Sequence, residues 1–219
     1  MSKRITLEEA LDMIKPGSVV MVGGFLGVGT PQRLINGLVK RGVKGLTLIC
    51  NDTAMPDKGV GKMVVAGQFD KIITSHIGTN KEAGRQMMEG ITEVVLVPQG
   101  TLIEQIRAGG YGLGGILTKT GLGTEVEKGK QIIEVDGENY LLEKPLKADF
   151  ALIYADVADE KGNLSYRGAT RNFNPVMASA ADTTIAESKR TVPLGGIDPN
   201  DVVVPAVFVD YILEEEHDG

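Results

Sequence analysis

Apolar and polar positions alternate along this chain in a repeating rhythm. SVVMV (18–22), LTLIC (46–50), KIITS (71–75) and EVVLV (93–97) are short apolar runs rich in β-branched residues. They are too short for helices and are bounded by turn residues, so they read as buried strands. Each is followed by a loop and then by a helical segment. Thr6-Leu7-Glu8-Glu9 has the spacing of a capping box, opening a helix that Pro16-Gly17 stops. Pro31 opens a helix to about Arg41, a short helix follows 51–61, another runs from about Lys81 to Glu89, and one begun by Gly100-Thr101 ends near Ala108. Four strand–loop–helix units predict an α/β fold: an open, mostly parallel sheet with helices on both faces and right-handed crossovers. In such sheets ligands sit beyond the carboxyl ends of the strands, so the four loops after the strands are where chemistry is expected.

The rhythm changes from Gly109 to about Lys147, where the chain is Gly-dense and lacks a helical period. QIIEV and ENYLL flank Asp136-Gly137, a hairpin signal, and the stretch reads as a small β insertion at 109–147. DFALIYADV then resumes a buried strand, NLSYRG reads as another, Asn174-Pro175 opens a helix, TTIAES is a strand and VFVDYIL closes the fold. No linker or fixed-period repeat interrupts the chain, which predicts one domain over residues 1–219.

Composition narrows the class. The 219 residues are 42% hydrophobic and 24% charged, ordinary for a globular chain. A net charge of −6 offers no basic stripe, which disfavours nucleic acid and anionic membrane surfaces as partners. No apolar run approaches the ~18 residues that would span a bilayer. The polar start, MSKRITLEEALDMI, does not resemble a signal peptide, so a cytoplasmic location is expected. One cysteine, Cys50, excludes an internal disulfide and a multi-cysteine zinc site, and no metal is expected. Its place at a strand end reads as a buried small hydrophobe.

The 29 glycines point to tight turns and close backbone approaches. The densest functional signal is Gly23-Gly24-Phe25-Leu26-Gly27-Val28-Gly29-Thr30-Pro31, between a strand and a helix. Backbone N–H groups there approach an anion, assisted by the helix N-terminus; the plainer reading is a turn that packs. Its spacing is neither GxGxxG nor GxxxxGK[ST]. Gly110-Tyr111-Gly112-Leu113-Gly114-Gly115 does satisfy GxGxxG but follows a helix, which removes its mechanical basis. Gln99 offers a neutral amide that can donate to a developing oxyanion, or else braces its loop. Asn51 positions substrate or, with Asp52, forms an Asx turn or a cap. His76 reads as polar loop lining, Glu104 and Arg107 as an exposed ion pair, Glu138 as a solvated turn residue, and the tail EEEHDG with His217 as inert.

VVMVGGFLGVGTP resembles the first signature of the family I coenzyme A transferases: an apolar strand, then GGF, three residues, Gly, one residue, Pro. One departure is Pro16 before Gly17, where the family carries Asp or Asn upstream of the strand; it concerns a turn. PQGTLIEQIRAGG and RNFNPVMASAA resemble two further segments of that family, and the likeness runs from about Leu11 to Leu213. GGILTKTGLGTEVEKGK and NYLLEKPLKADFALI look most like its alpha subunits that move CoA between butyryl-CoA or acetyl-CoA and acetoacetate. The family's essential glutamate lies in a Ser-Glu-Asn-Gly motif, absent here.

The resemblance therefore implies a beta subunit that supplies the nucleophile, in an α2β2 assembly, with coenzyme A as substrate and no permanently bound cofactor. It implies Gln99 as an oxyanion donor, Gly24, Phe25, Leu26, Gly27, Val28, Gly29 and Thr30 as contacts to CoA or its acyl group, and Gly23 and Asn51 as substrate contacts. Three other readings compete. The first is a succinyl-CoA:3-oxoacid transferase subunit. The second is a non-catalytic metabolite-binding module on a related sheet. The third is a sugar-phosphate isomerase, which would need an in-chain carboxylate base in a glycine-rich loop.

Overall fold

The computed structural model describes residues 3–214; His217 and the rest of 215–219 lie outside the described residues. Helix α1 (Leu7–Met13) starts at the expected box: the Thr6 hydroxyl accepts from Glu9 N–H, and Thr6 N–H donates back to the Glu9 carboxylate at 2.9 Å. The first units then run β1 (Val19–Val22), α2 (Gln32–Arg41), β2 (Leu46–Asp52), α3 (Gly61–Val65), β3 (Phe69–His76), α4 (Lys81–Met88), β4 (Glu93–Leu96) and α5 (Gln99–Gly110). The insertion holds β5 (Ile116–Thr118), β6 (Gln131–Val135) and β7 (Glu138–Glu143). After it come β8 (Ala148–Ala155), β9 (Val157–Asp159), β10 (Leu164–Ser165), α6 (Asn174–Met177), β11 (Ala181–Ser188), β12 (Thr191–Val192) and β13 (Tyr211–Glu214).

Seven strands form one sheet in the order β13-β11-β8-β1-β2-β3-β4, and every neighbouring pair is parallel. The chain steps outward from β1 to β4, then returns to the other side of β1 for β8, β11 and β13. That reversal puts a topological switch point beside β1, where open α/β sheets leave a crevice. Antiparallel pairs of strands occur in two satellite sheets, β5-β7-β6 and β10-β9-β12. In the first, Asp136 and Gly137 both have positive φ (52° and 77°), the two-residue turn expected from Asp-Gly.

Alternation along the central strands builds two cores. Val20, Val22, Leu48, Cys50, Leu152 and Ile185 point to one face, under α1, α2, α3 and Ala83 of α4. Met21, Ile49, Ala151, Ile153 and Ala186 point to the other, under α5 and α6. A sheet buried on both faces explains why its strands read as unbroken apolar runs.

Some boundaries differ from expectation. β2 and β3 continue past Cys50 and Ser75, because parallel pairing runs on to Asp52 opposite His76. Asn51 and Asp52 are therefore held on a strand instead of a free loop. Gln99 is the first residue of α5 instead of preceding it. VFVDYIL is a strand only from Tyr211; Ala206–Phe208 form a 3-10 turn after Pro205, leaving Val207 81% exposed. Of NLSYRG, Leu164 and Ser165 pair and a 3-10 turn begins at Gly168. No helix among the described residues is long and apolar enough to cross a membrane.

One long-range contact fixes α2 against the sheet. Glu187, on β11 and buried, accepts from the N–H groups of Arg33 (2.9 Å) and Leu34 (3.1 Å) in the first turn of α2. A carboxylate there satisfies two orphan amides and the positive helix end together. Glu187→Ala should lower unfolding free energy by roughly 2–3 kcal/mol, with a smaller loss for Glu187→Gln, read by urea denaturation. Equal stability of all three chains would refute the cap.

Candidate active site

The loop after β1 is a miniature hairpin. Phe25 N–H donates to the Val28 carbonyl (3.0 Å) and Val28 N–H to the Phe25 carbonyl (2.9 Å), with Leu26 (φ 49°) and Gly27 (φ 87°) at the tip. Both tip residues have positive φ, the signature of a tight two-residue turn. The turn thrusts out Phe25 and Val28, 43% and 46% exposed. The segment 171–174 clamps it from behind. Asn172 accepts from Gly24 N–H (3.1 Å) and donates to the Val28 carbonyl (3.1 Å), while Asn174 donates to the Gly29 carbonyl (2.8 Å). A Cβ at Gly24 would lie 2.2 Å from the buried Thr30 hydroxyl oxygen, so the approach requires glycine.

These contacts occupy several donors of the expected anion cradle. The N–H groups of Gly23, Gly24, Phe25, Leu26 and Val28 all donate within the chain, and Glu187 occupies the start of α2. Glycine patterning reveals close approach but not which donors are already spent. The loop instead presents apolar side chains.

Beyond the carboxyl ends of β1 to β4 lies a cavity of about 420 Å³, lined by Phe25, Leu26, Asn51, Asp52, Ser75, His76, Thr79 and Gln99. Each of the four loops expected to carry chemistry supplies part of the wall. Gln99 sits where α5 begins behind Pro98, and its Nε2 donates to Asn51 Oδ1 at 2.6 Å. Asn51, 1% exposed, donates from Nδ2 to Asp52 Oδ2 at 2.7 Å. Asp52 accepts in addition from the N–H groups of Leu26 (3.1 Å) and Ala54 (2.8 Å). The bond to Ala54 is the Asx turn foreseen for this pair. Ser75 donates to the Asn51 carbonyl (2.6 Å) and Thr79 to the Ala54 carbonyl (2.8 Å), so the wall is braced throughout.

The profile of the family described as coenzyme A transferase matches residues 4–215. The chain is 53% identical to an acetate CoA-transferase subunit alpha of Escherichia coli, over 97% of this chain and 96% of that one. It is 49% identical to an acetoacetyl-CoA:acetate/butyrate CoA transferase alpha subunit of Clostridium acetobutylicum, over 98% of each. The chain belongs to the coenzyme A transferase family. Its fold is similar to that of a crystallised acyl-CoA transferase from Escherichia coli, with a TM-score of 0.87 at 20% identity. The match covers 98% of this chain and 47% of that chain, so this transferase chain spans about half of that structure's length.

Among coenzyme A transferase residues flagged for other reasons, the plain readings fit the structure. Gly110 ends α5 and its Cβ would meet Ser179 Oγ at 2.3 Å, so the GxGxxG spacing marks helix packing. Glu104 and Arg107 pair at 3.0 Å on a half-exposed face, and Glu138 is an exposed partner of Lys119. His76 lines the cavity. No group of three or more His, Cys, Asp or Glu among the described residues is placed to hold a metal. Asn172, Asn174 and Glu187 were not singled out for their roles, because their contacts cross 144 to 154 residues and leave no local spacing.

Cys50 is 1% exposed on β2, and burial pushes its thiol up to about 12. Iodoacetamide at pH 8 should leave it unmodified in the folded chain and label it in urea; folded-state labelling at a free-thiol rate would contradict this. The folded value lies above the unfolded one. Stability linked to the protonated thiol is thus fully present below about pH 8.5 and is lost as pH rises toward 12.

Proposed function

We propose that this transferase chain, acting as one unit over 1–219, is the alpha subunit of a cytoplasmic enzyme that moves CoA between acetyl-CoA or butyryl-CoA and acetoacetate. It works with a beta subunit carrying a Ser-Glu-Asn-Gly glutamate, in an α2β2 assembly, with CoA as substrate and no resident cofactor. The observation that carries the divided site is Asp52. It is the one acid among the cavity-lining residues, it is 5% exposed, and its carboxylate is held by three donors of this chain. A carboxylate so occupied is a poor nucleophile, and the same point disfavours an isomerase with an in-chain base. The attacking group then comes from outside. Phe25, which lines the cavity, and Val28 beside it in the turn are exposed and suit burial against a second subunit. The roughly 50% identical alpha subunits support the short acyl donors over succinyl-CoA.

In this reading the partner's glutamate attacks the acyl-CoA carbonyl, and the CoA thiolate leaves, forming a mixed anhydride. The thiolate then attacks the glutamyl carbonyl, releasing the free carboxylate and leaving a glutamyl-CoA thioester. An acceptor carboxylate runs the sequence in reverse, so bonds balance and no water is consumed. Each attack builds a tetrahedral oxyanion. Gln99 spends one N–H on Asn51 and keeps the second for that oxygen. Such a donor is worth roughly 3–4 kcal/mol in a preorganised site. Phe25, Leu26 and Val28, with the glycines and Thr30 shaping their turn, wall the acyl group and exclude water from the anhydride.

The purified chain alone should turn over butyryl-CoA and acetoacetate negligibly and recover full rate with the beta subunit; full activity alone would reject the divided site. In the complex, Gln99→Ala should lower kcat by about 10²–10³ with a smaller effect on KM. A kcat equal to wild type would remove Gln99 from the chemistry. Gly24→Val should displace the loop and raise KM for acyl-CoA; unchanged kinetics would reduce the loop to scaffolding.

A further inference from the structure

We propose that Asp52 is a positioning residue for Gln99, acting through Asn51 to set which way the Gln99 carboxamide faces. The proposal rests on the function given above. The two ends of a carboxamide are nearly the same size, so packing alone does not choose between an amide and its flipped form. Here a charge makes the choice. Asp52 ends β2, and its two carboxylate oxygens meet Ala54 N–H (2.8 Å), Leu26 N–H (3.2 and 3.1 Å) and Asn51 Nδ2 (2.7 Å). All three are donors, and a carboxylate only accepts.

Asn51 is 1% exposed and therefore has one satisfied orientation. Reversed, its Oδ1 would face a carboxylate oxygen, two acceptors with no proton between them. With Nδ2 committed to Asp52, Oδ1 turns toward α5 and requires a donor. Gln99 Nε2 provides it at 2.6 Å, the shorter link of the pair. The direction of Gln99 is therefore dictated by a carboxylate two hydrogen bonds away. The same carboxylate holds Leu26, at the tip of the apolar turn, so one group sets both the donor and the facing wall of the cavity.

Replacing the carboxylate by an amide reverses the chain of bonds. In Asp52→Asn the side-chain oxygen must still accept from the Leu26 and Ala54 backbone, which turns its NH2 toward Asn51. Asn51 then offers its oxygen to that NH2 and its own NH2 to Gln99, and the Gln99 carboxamide flips. The swapped pair N51D/D52N keeps the total charge and places the acceptor-only group at position 51. It accepts from the new amide at position 52 and from Gln99, which returns to its original direction.

The test compares wild type, Asp52→Asn and the swapped pair by two readouts. The first is the side-chain NH2 resonance pair of Gln99 in the 15N-labelled full chain, assigned by its loss in Gln99→Ala. The second is kcat and KM for butyryl-CoA and acetoacetate with the beta subunit present. Asp52→Asn should move the Gln99 pair and lower kcat about tenfold to a hundredfold, with KM within about threefold. The swapped pair should bring the resonances back and recover kcat to within about tenfold of wild type. Unmoved Gln99 resonances in Asp52→Asn would overturn the proposal. So would moved resonances with wild-type kcat, or a swapped pair that recovers neither readout. If Asp52→Asn does not fold, Asn51→Leu severs the same path while leaving Asp52 on its backbone donors, and wild-type kcat there would be equally fatal. A wild-type complex without CoA transfer would reject the function itself, and the resonances would still decide whether Asp52 orients Gln99.

Discussion

Where a chain leaves the carboxyl end of a parallel strand it must turn sharply, and its amide groups lose their partners in the sheet. This structure answers with side-chain acceptors, several of them drawn from distant segments. Asp52 takes the amides of Leu26 and Ala54, Glu187 takes those opening α2, and Asn172 takes that of Gly24. An unpaired buried donor costs about 1–3 kcal/mol, so these contacts decide whether the loops hold one conformation. The cavity exists because they do.

Rigid walls suit the anhydride intermediate of the mechanism proposed above. Water at such a carbonyl would waste the acyl group, and a tight apolar turn leaves little room for it. The turn carries Phe25 and Val28 outward, while Gln99 and Asn51 form the polar side of the same space. In the proposed mechanism labour would be divided: this chain would supply shape and a donor, and the charged attacker would arrive with the neighbouring subunit. Holding Asp52, the one acid among the described lining residues, on three donors of this chain would keep it from competing with the proposed attacker.

Much of the fold was legible because the central strands are buried on two faces and several helices carry a local start signal. The apolar runs, the Thr6–Glu9 box and the Asp136-Gly137 turn are local signals, and local signals survive in sequence. Strand ends were less so: Asn51, Asp52 and His76 are polar yet stay paired because their neighbours do. That Gln99, Asn51 and Phe25 meet at one cavity could be expected from their places just after the apolar runs. Which backbone donors of the glycine loop and of α2 are already spent could not be read from the sequence, for a definite reason. Glu187 lies 154 residues from the amides it satisfies, and no spacing rule connects them. Side-chain orientation in the Asp52–Asn51–Gln99 series is likewise a property of three meeting groups and of none alone.

The strand order carries a consequence for how the molecule is made. β1 is central, yet its partner on one side, β8, is separated from it by about 130 residues, as the bond from Val19 N–H to Asp149 records. During synthesis that flank stays open long after β1 to β4 have left the ribosome, and the hairpin at its tip waits longer still for Asn172 and Asn174. Such late, non-local closure is slow and leaves sticky surface uncovered meanwhile. A nascent chain of this type has every reason to lean on a chaperone until its last third emerges.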